Sequence, residues 1–192
     1  MALKATIYKA RVDLADMDRH VYGDYSLTLA RHPSETDERM MIRLLAFALN
    51  VPENEDSGPL ELARDMWEPD EPGLWQRDLT GRLMHWIEVG QPDEKRLSRV
   101  CARSERVSVY SFSSSTPVWW AGLSNRLTRS HNLTVWRVPE HQSEELSRMS
   151  ERTMELHVSV QEGTVWVTAG GRSVQLDLEC LLSPARAGGS AR

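Results

Sequence analysis

The stretch that most constrains the fold of this chain is residues 83–94, where a strand pattern gives way to a helix start. Residues 83–89 are mostly apolar and predict a buried strand, with Glu88 near its end. The glycine and glutamine that follow break this strand. Pro92 suits the first position of a helix, because the amide hydrogen that proline lacks would be unbonded there anyway. The stretch therefore predicts a strand, a tight break and a helix in direct succession.

Charged side chains surround this strand end. Asp93 and Glu94 fall in the first helical turn, where the helix dipole favours negative charge. Lys95 and Arg96 follow them. Together with Glu88, this arrangement can hold a divalent cation and a phosphate. The alternative interpretation is an exposed strand end with solvated charges, and the residues of this stretch leave both interpretations open.

A hairpin is predicted immediately before Glu88. Residues 74–78 and 82–89 have strand patterns, and a short turn separates them. If the turn centres near Thr80, residues that face one another on the two strands have numbers that add to about 160. Glu88 then faces the neighbourhood of Pro72, so that the two acids just before this proline approach it.

Acids from three parts of the chain are candidate metal ligands. Asp70 or Glu71 approaches Glu88 across the hairpin, and both stay candidates because a small register slip exchanges them. A helix with a capping-box pattern is predicted over 34–49, and Glu38 heads its inward face. Mg²⁺ takes one or two carboxylates together with substrate phosphate and water. The alternatives are a charged turn before the hairpin and a surface charge at the helix start.

Period-two patterns mark both ends of the chain. Residues 3–14 and 25–30 predict an antiparallel hairpin, and residues 153–179 predict a three-stranded meander. We expect these strands to join in one additional antiparallel sheet. Between them, strands at 107–112 and 133–138 flank a helix and predict a βαβ unit with parallel neighbours. The predicted fold class is α/β, a mixed central sheet flanked by helices with the additional sheet beside it.

The length of 192 residues suits one domain, or one domain with an elaboration. We expect a single domain over 1–182, with a core at about 34–138 and auxiliary strands at about 3–31 and 153–179. Residues 183–192 offer little to pack and predict a disordered tail.

Composition narrows the class of function. The formal charge of -5 argues mildly against nonspecific nucleic-acid binding, although 23 Lys and Arg residues are enough for a local basic patch. Cys101 and Cys180 lack the spacing of a zinc site and do not indicate a disulfide framework. No apolar run approaches the ~20 residues of a membrane helix, and the first residues alternate where a signal peptide has an apolar block. These features predict a cytoplasmic protein without a membrane partner.

Several runs of residues resemble the YaeQ family. They are residues 1–10, 26–36, 38–41, 70–72 with Trp75, and 86–96. The resemblance extends from residue 1 to about residue 182. It implies a restriction-endonuclease-like core of the PD-(D/E)xK nuclease superfamily, whose order of helix, three strands, helix and strand matches the middle of the chain. The resemblance implies this fold, but it does not imply an established activity.

The superfamily pattern implies roles for the candidate acids. Glu38 matches the acid of the first helix, and Asp70 or Glu71 matches the acid before the central strand. Glu88 matches the first residue of the (D/E)xK triplet. The carbonyl of Val89 would be a further ligand. The resemblance thus implies a Mg²⁺ site at these positions.

The lysine of the triplet falls at Gly90. In the superfamily pattern that lysine orients the attacking water and stabilises developing charge. Lys95 or Arg96 could supply the charge from the next helix, and Gln91 could position a water without supplying charge. An arginine can clamp phosphate, but its pKa is too high for a general base.

Three functions agree with these residues. The first is a Mg²⁺-dependent phosphodiesterase that cuts DNA or RNA. The second is a degenerate nuclease fold that binds nucleic acid or a protein without cutting. The third is a scaffold that binds a protein partner through the terminal sheet, at its edge strand or at Trp166.

Overall fold

A computed structural model describes residues 4–127 and 129–184; the last eight residues of the predicted tail, 185–192, lie outside these ranges. The strands are β1 (Thr6–Asp16), β2 (Val21–Arg31), β3 (Leu60–Leu62), β4 (Leu74–Arg77), β5 (Leu83–Val89), β6 (Ser104–Ser111), β7 (Leu133–Arg137), β8 (Thr153–Gln161), β9 (Thr164–Ala169), β10 (Arg172–Leu176) and β11 (Glu179–Leu182). The helices are α1 (Asp37–Asn50), α2 (Glu94–Arg103), α3 (Thr116–Leu127) and α4 (Glu140–Ser147), with a 3-10 turn at Asp65–Trp67. None of the helices in the described ranges is long and apolar enough to cross a membrane.

The strands from the two ends of the chain form one sheet in the order β10-β9-β8-β1-β2. This confirms that the terminal strands join. β1 and β8 pair in parallel, from Lys9 opposite Thr153 to Asp16 opposite Val160, so the sheet is mixed where an antiparallel one was expected. β1 and β8 are each the first strand of an antiparallel unit, and the two units meet along these first strands, which run in the same direction.

The second sheet has the order β11-β7-β6-β5-β4-β3. Its three central strands, β5, β6 and β7, are parallel, which confirms the predicted βαβ unit. The β3-β4-β5 segment is antiparallel, and β11 pairs antiparallel with β7 at the other edge. The molecule is therefore a mixed α/β fold with two sheets.

The β4-β5 hairpin confirms the predicted register to within one residue. Trp75 lies opposite Trp86 and Leu74 opposite Ile87, while a bulge follows Gln76. Continuing this ladder by one residue brings Gly73 and Glu88 opposite each other. The segment just before β4 therefore approaches the end of β5, as expected.

Helix α1 lies between the two sheets. All residues from 40 to 48 are buried, and they share one core with strands of both sheets. The helix begins later than predicted: its cap is Thr36, whose Oγ1 accepts a hydrogen bond from the amide of Arg39 at 3.1 Å. Ser34 does not cap it, because the helix starts only after Thr36; Ser34 lies in a local turn where its amide donates to the ring of His32.

Helices α2 and α3 cover the other face of the second sheet. Trp86, Leu97 and Leu127 belong to a separate core cluster between these helices and β5 to β7. Because side chains alternate along a strand, Glu88 points to the α2 side with Trp86, and Ile87 points to the α1 side.

Candidate functional site at the end of strand β5

The candidate site lies where the parallel strands β5 and β6 end and helices α2 and α3 begin. In α/β sheets, ligands bind outside the carboxyl ends of parallel strands. Gly90 makes the turn out of β5 with a φ of +116°, a backbone conformation that residues with side chains avoid. A Cβ at this position would meet no neighbouring atom. The backbone conformation, and not lack of space, therefore disfavours the lysine that the nuclease pattern places here.

Glu88 is a buried carboxylate, with 6% of the residue exposed. Its Oε1 accepts hydrogen bonds from the indole nitrogen of Trp86 at 2.7 Å and from Nε of Arg96 at 2.5 Å. Its Oε2 accepts no hydrogen bond from the described residues. One oxygen of this predicted metal ligand is thus occupied by an ion pair, and the other remains available.

Arg96 ties Glu88 to the segment before β4. Its Nη1 donates to the carbonyl of Pro69, and its Nη2 donates to the carbonyl of Glu71 at 2.9 Å. Its guanidinium carbon also lies 5.9 Å from the ring centre of Trp86. Arg96 therefore joins α2, β5 and the β3–β4 connection at one point.

The other predicted ligands lie apart. Glu38, on the α1 side of the sheet, accepts a hydrogen bond from Oγ of Ser143 at 2.5 Å. Oε2 of Glu71 accepts from the amide of Arg64 at 2.8 Å, and Asp70 is exposed without a partner among the described residues. In residues 4–127 and 129–184, no three His, Cys, Asp or Glu side chains are grouped so that they could hold a metal ion. The Mg²⁺ site stays a prediction.

An ionic network that the sequence did not predict lies beside the site on the α1 side. Arg39 donates to both carboxylate oxygens of Asp65, at 2.6 and 2.8 Å, and to the carbonyl of Val89 at 3.2 Å. Glu35 accepts from both Arg39 and Arg43. Burial alone lowers the pKa of Arg39, but its hydrogen bonds and its attraction to the two acids raise the pKa above the ordinary value. The carbonyl of Val89, expected as a metal ligand, therefore already accepts a hydrogen bond.

The spacing of this network was visible in the sequence. Glu35, Arg39 and Arg43 are four residues apart, so they align along one side of a helix start. The contact of Asp65 with these arginines could not be predicted from spacing, because Asp65 belongs to a separate 3-10 turn and has a φ of +54°.

Gln91 turns toward the start of α3. Its amide nitrogen donates to Oγ of Ser113 at 3.0 Å and to Oγ of Ser115 at 2.8 Å. These are partners from the loop after β6, the next parallel strand. Gln91 thus links the two strand ends, and its predicted role of positioning a water stays a prediction.

Helix α2 carries an unpaired basic surface next to the site. Lys95, Arg99 and Arg103, here called the α2 cationic face, are exposed and spaced four residues apart. None of the three forms an ion pair with a described residue. Arg103 lies over the ring of Trp86 at 4.8 Å. Of these residues, only Lys95 was named from the sequence.

Two partly exposed tryptophans lie on α3, next to the start of α2. Trp119 donates its indole hydrogen to the carbonyl of Pro92 at 3.0 Å, which fixes α3 against the start of α2. The ring centre of Trp120 is 5.9 Å from that of Trp119, and Trp120 makes no hydrogen bond with a described residue through its indole nitrogen. Val118 beside them is 78% exposed. Of the seven tryptophans, only Trp86 is fully buried.

Comparison with known proteins identifies the family. The family model described as YaeQ protein matches residues 1–178. The chain belongs to the YaeQ family. It is 38% identical over 185 residues to proteins described as "Uncharacterized protein YaeQ" from Escherichia coli K12 and Salmonella typhi, and the match covers 96% of the chain and 99% of each relative.

Two solved YaeQ structures share the fold. The YaeQ protein from Xanthomonas axonopodis pv. citri superposes with a TM-score of 0.89 at 41% identity, covering 94% of this chain and 100% of that one. The YaeQ protein from Pseudomonas syringae gives a TM-score of 0.87 at 38% identity, with 93% and 97% covered.

Proposed function

We propose that this YaeQ-family chain has a restriction-endonuclease-like core that binds nucleic acid in the cytoplasm without cutting it. The order α1, β3, β4, β5, α2, β6 supports this interpretation of the core, since it repeats the helix, three strands, helix and strand of the PD-(D/E)xK pattern. The same order brings the two acid-bearing segments of that pattern to the end of β5.

The α2 cationic face is the observation that carries the proposal. One helical residue rises 1.5 Å, so positions four apart are about 6 Å apart along the axis, similar to the separation of successive phosphates in a nucleic-acid strand. Glu94, the acid within α2, is bonded to Arg126 at 2.7 Å. The three cations are thus left to attract phosphate, which is the electrostatic feature of nucleic-acid binding.

Single-stranded nucleic acid suits this surface best. Trp120 presents part of an aromatic ring on α3, which packs against α2. Base stacking on an exposed aromatic residue contributes about 1–3 kcal/mol and does not depend on sequence. We therefore propose that phosphates contact the α2 cationic face while a base stacks on Trp120.

Binding without cutting is supported by the partners of the candidate catalytic groups. Oε1 of Glu88 is held by Arg96, and Arg96 itself is held by two backbone carbonyls. Glu38 is bonded to Ser143 on the other side of the sheet. Gly90 supplies no charge where the pattern has lysine.

The experiment is fluorescence anisotropy with a labelled single-stranded oligonucleotide. The variant Lys95→Gln/Arg99→Gln/Arg103→Gln is expected to lose binding. The matched control Lys9→Gln/Arg11→Gln/Arg172→Gln removes the same charge from exposed positions of the terminal sheet and is expected to bind as the natural chain does. Equal binding by both variants, or equal loss in both, contradicts the proposed surface.

A Mg²⁺-dependent phosphodiesterase is the second candidate. Oε2 of Glu88 accepts no hydrogen bond from the described residues, and the exposed carboxylate of Asp70 has no partner among them. These two groups, with Glu71, are the acids proposed to hold the ion, and Lys95 or Arg96 would stabilise the phosphate charge. Cleavage that requires Mg²⁺ and disappears in Glu88→Gln would support this candidate over binding alone.

A further inference from the structure

A composite cleft lies beside the end of α1, next to the second sheet. Its polar part has a volume of about 560 Å³, and it is lined by the first residues of β5 and β6 and by the loop after α1. Its apolar part has a volume of about 260 Å³. Both parts share Arg19, Leu49 and Asn50 at the end of α1. Together they have the size of a site for a small organic molecule.

The apolar part lies between the two sheets. Val160 and Val165 come from the terminal sheet, and Trp136 and Leu178 come from β7 and the segment before β11. Most of the exposed surface of this wall is apolar, which suits the apolar body of a ligand.

A buried hydrogen-bond donor faces this apolar part. Tyr110 is 2% exposed and lines the cavity. Its hydroxyl oxygen accepts from Nδ2 of Asn50 at 2.8 Å, and the same nitrogen donates to the carbonyl of Ala46 at 2.7 Å. The phenolic hydrogen has no acceptor among the described residues. Burial raises the pKa of Tyr110 to about 12, so the hydroxyl keeps this hydrogen at neutral pH.

An uncompensated cation faces the polar part. Arg106 lines it and makes no hydrogen bond or ion pair with a described residue. Arg106 is exposed at the rim of this part, and partial desolvation lowers its pKa; Tyr110 raises the pKa and the positive charge of Arg19 lowers it. Arg19 itself is bonded to Asp16 at 2.6 Å and to the carbonyl of Val51 at 2.7 Å. The cleft thus presents a free guanidinium and a free hydroxyl hydrogen.

The acids around the cleft do not supply the missing acceptor. Glu105 is bonded to Arg82, and Asp18 accepts from two backbone amides of the β8–β9 turn. Glu53 lies exposed at the rim. The hydroxyl hydrogen of Tyr110 and the charge of Arg106 have no partners among the described residues, and an apolar wall lies beside them. This combination favours a ligand with one negative group and an apolar body.

We propose that this cleft binds a small organic anion. Its carboxylate or sulfonate accepts the hydrogen bond of Tyr110 and meets the charge of Arg106, and its apolar body occupies the space between Trp136 and Val165. This site is separate from the proposed nucleic-acid surface, because Tyr110 belongs to the core on the α1 side of the second sheet, whereas α2 covers the other side.

The test uses 8-anilinonaphthalene-1-sulfonate as the probe, with its fluorescence titrated against the full chain. We expect saturable binding, displacement by decanoate, and weaker displacement by decanol, which has the same chain length without the charge. Arg106→Gln and Tyr110→Phe each remove one polar partner and are expected to weaken binding about tenfold. Circular dichroism checks that each variant is folded.

The matched controls are Arg172→Gln and Tyr22→Phe, which make the same changes at exposed positions outside the cleft. They are expected to bind as the natural chain does. Unchanged binding in Arg106→Gln and Tyr110→Phe, or equal displacement by decanol and decanoate, overturns the proposal and leaves a cleft filled by water only.

Discussion

The ion pair between Glu88 and Arg96 is expected to hold the candidate site together, and replacing Arg96 tests this. Arg96→Met removes the guanidinium and keeps much of the apolar stem. Glu88, whose side chain is 8% exposed, then keeps only the hydrogen bond from Trp86. The carbonyls of Pro69 and Glu71 also lose their donor.

The size of the expected loss in stability follows from how deeply Glu88 and Arg96 are buried. Removing one partner of a fully buried ion pair costs about 3–5 kcal/mol, because the other charge is left uncompensated. The side chain of Arg96 is 21% exposed, so water can replace part of what is lost. We therefore expect Arg96→Met to lower the free energy of unfolding by about 2–3 kcal/mol.

Urea denaturation followed by tryptophan fluorescence measures this loss. Glu88→Gln keeps an acceptor for Trp86 and Arg96 and is expected to cost about 1 kcal/mol. The double variant is expected to lose less than the sum of the two single changes, since both changes remove the same interaction. A loss below about 0.5 kcal/mol in Arg96→Met, or strict additivity, would refute this reasoning.

Two further predictions concern stability. Burial lowers the pKa of His85 to about 3 from 6.5, so the unfolded chain binds this proton more readily. Stability should fall by about 1.4 kcal/mol per unit as the pH drops from 6.5 toward 3, and His85→Gln should remove that slope in urea titrations at several pH values. Gly58 and Gly81 both have positive φ, but a Cβ on Gly58 would lie 1.9 Å from the carbonyl oxygen of Arg77, whereas one on Gly81 meets nothing within 4 Å. Gly81→Ala should therefore cost about 1 kcal/mol and Gly58→Ala at least about 3 kcal/mol by thermal unfolding; equal losses would contradict the steric argument.

Local patterns predicted most of the elements because they depend on neighbours in the chain. Strand β5 and its hairpin followed from an apolar run and the turn residues before it, and the one-residue error in register comes from the bulge after Gln76. Strand β11 was not predicted. Residues 179–182 do not alternate, and their pairing with β7 exists only because the chain crosses from one sheet to the other.

The candidate site was harder to predict because its contacts are decided by side-chain geometry. The sequence placed Glu88 and Arg96 near each other, but it could not show that they pair with each other. It also could not show that Glu38 and Glu88 lie on opposite sides of a sheet, since that depends on how α1 packs. The α2 cationic face was readable as a four-residue spacing, although which of its cations lack an acidic partner is a tertiary property.

The most direct test of the account is the salt dependence of single-stranded nucleic-acid binding. Three phosphate contacts by the α2 cationic face predict that the logarithm of the binding constant falls with the logarithm of salt concentration with a slope of about -2. In Lys95→Gln/Arg99→Gln/Arg103→Gln the residual slope should approach zero. A slope that the triple variant leaves unchanged, or binding by the natural chain that does not respond to salt, would contradict the account.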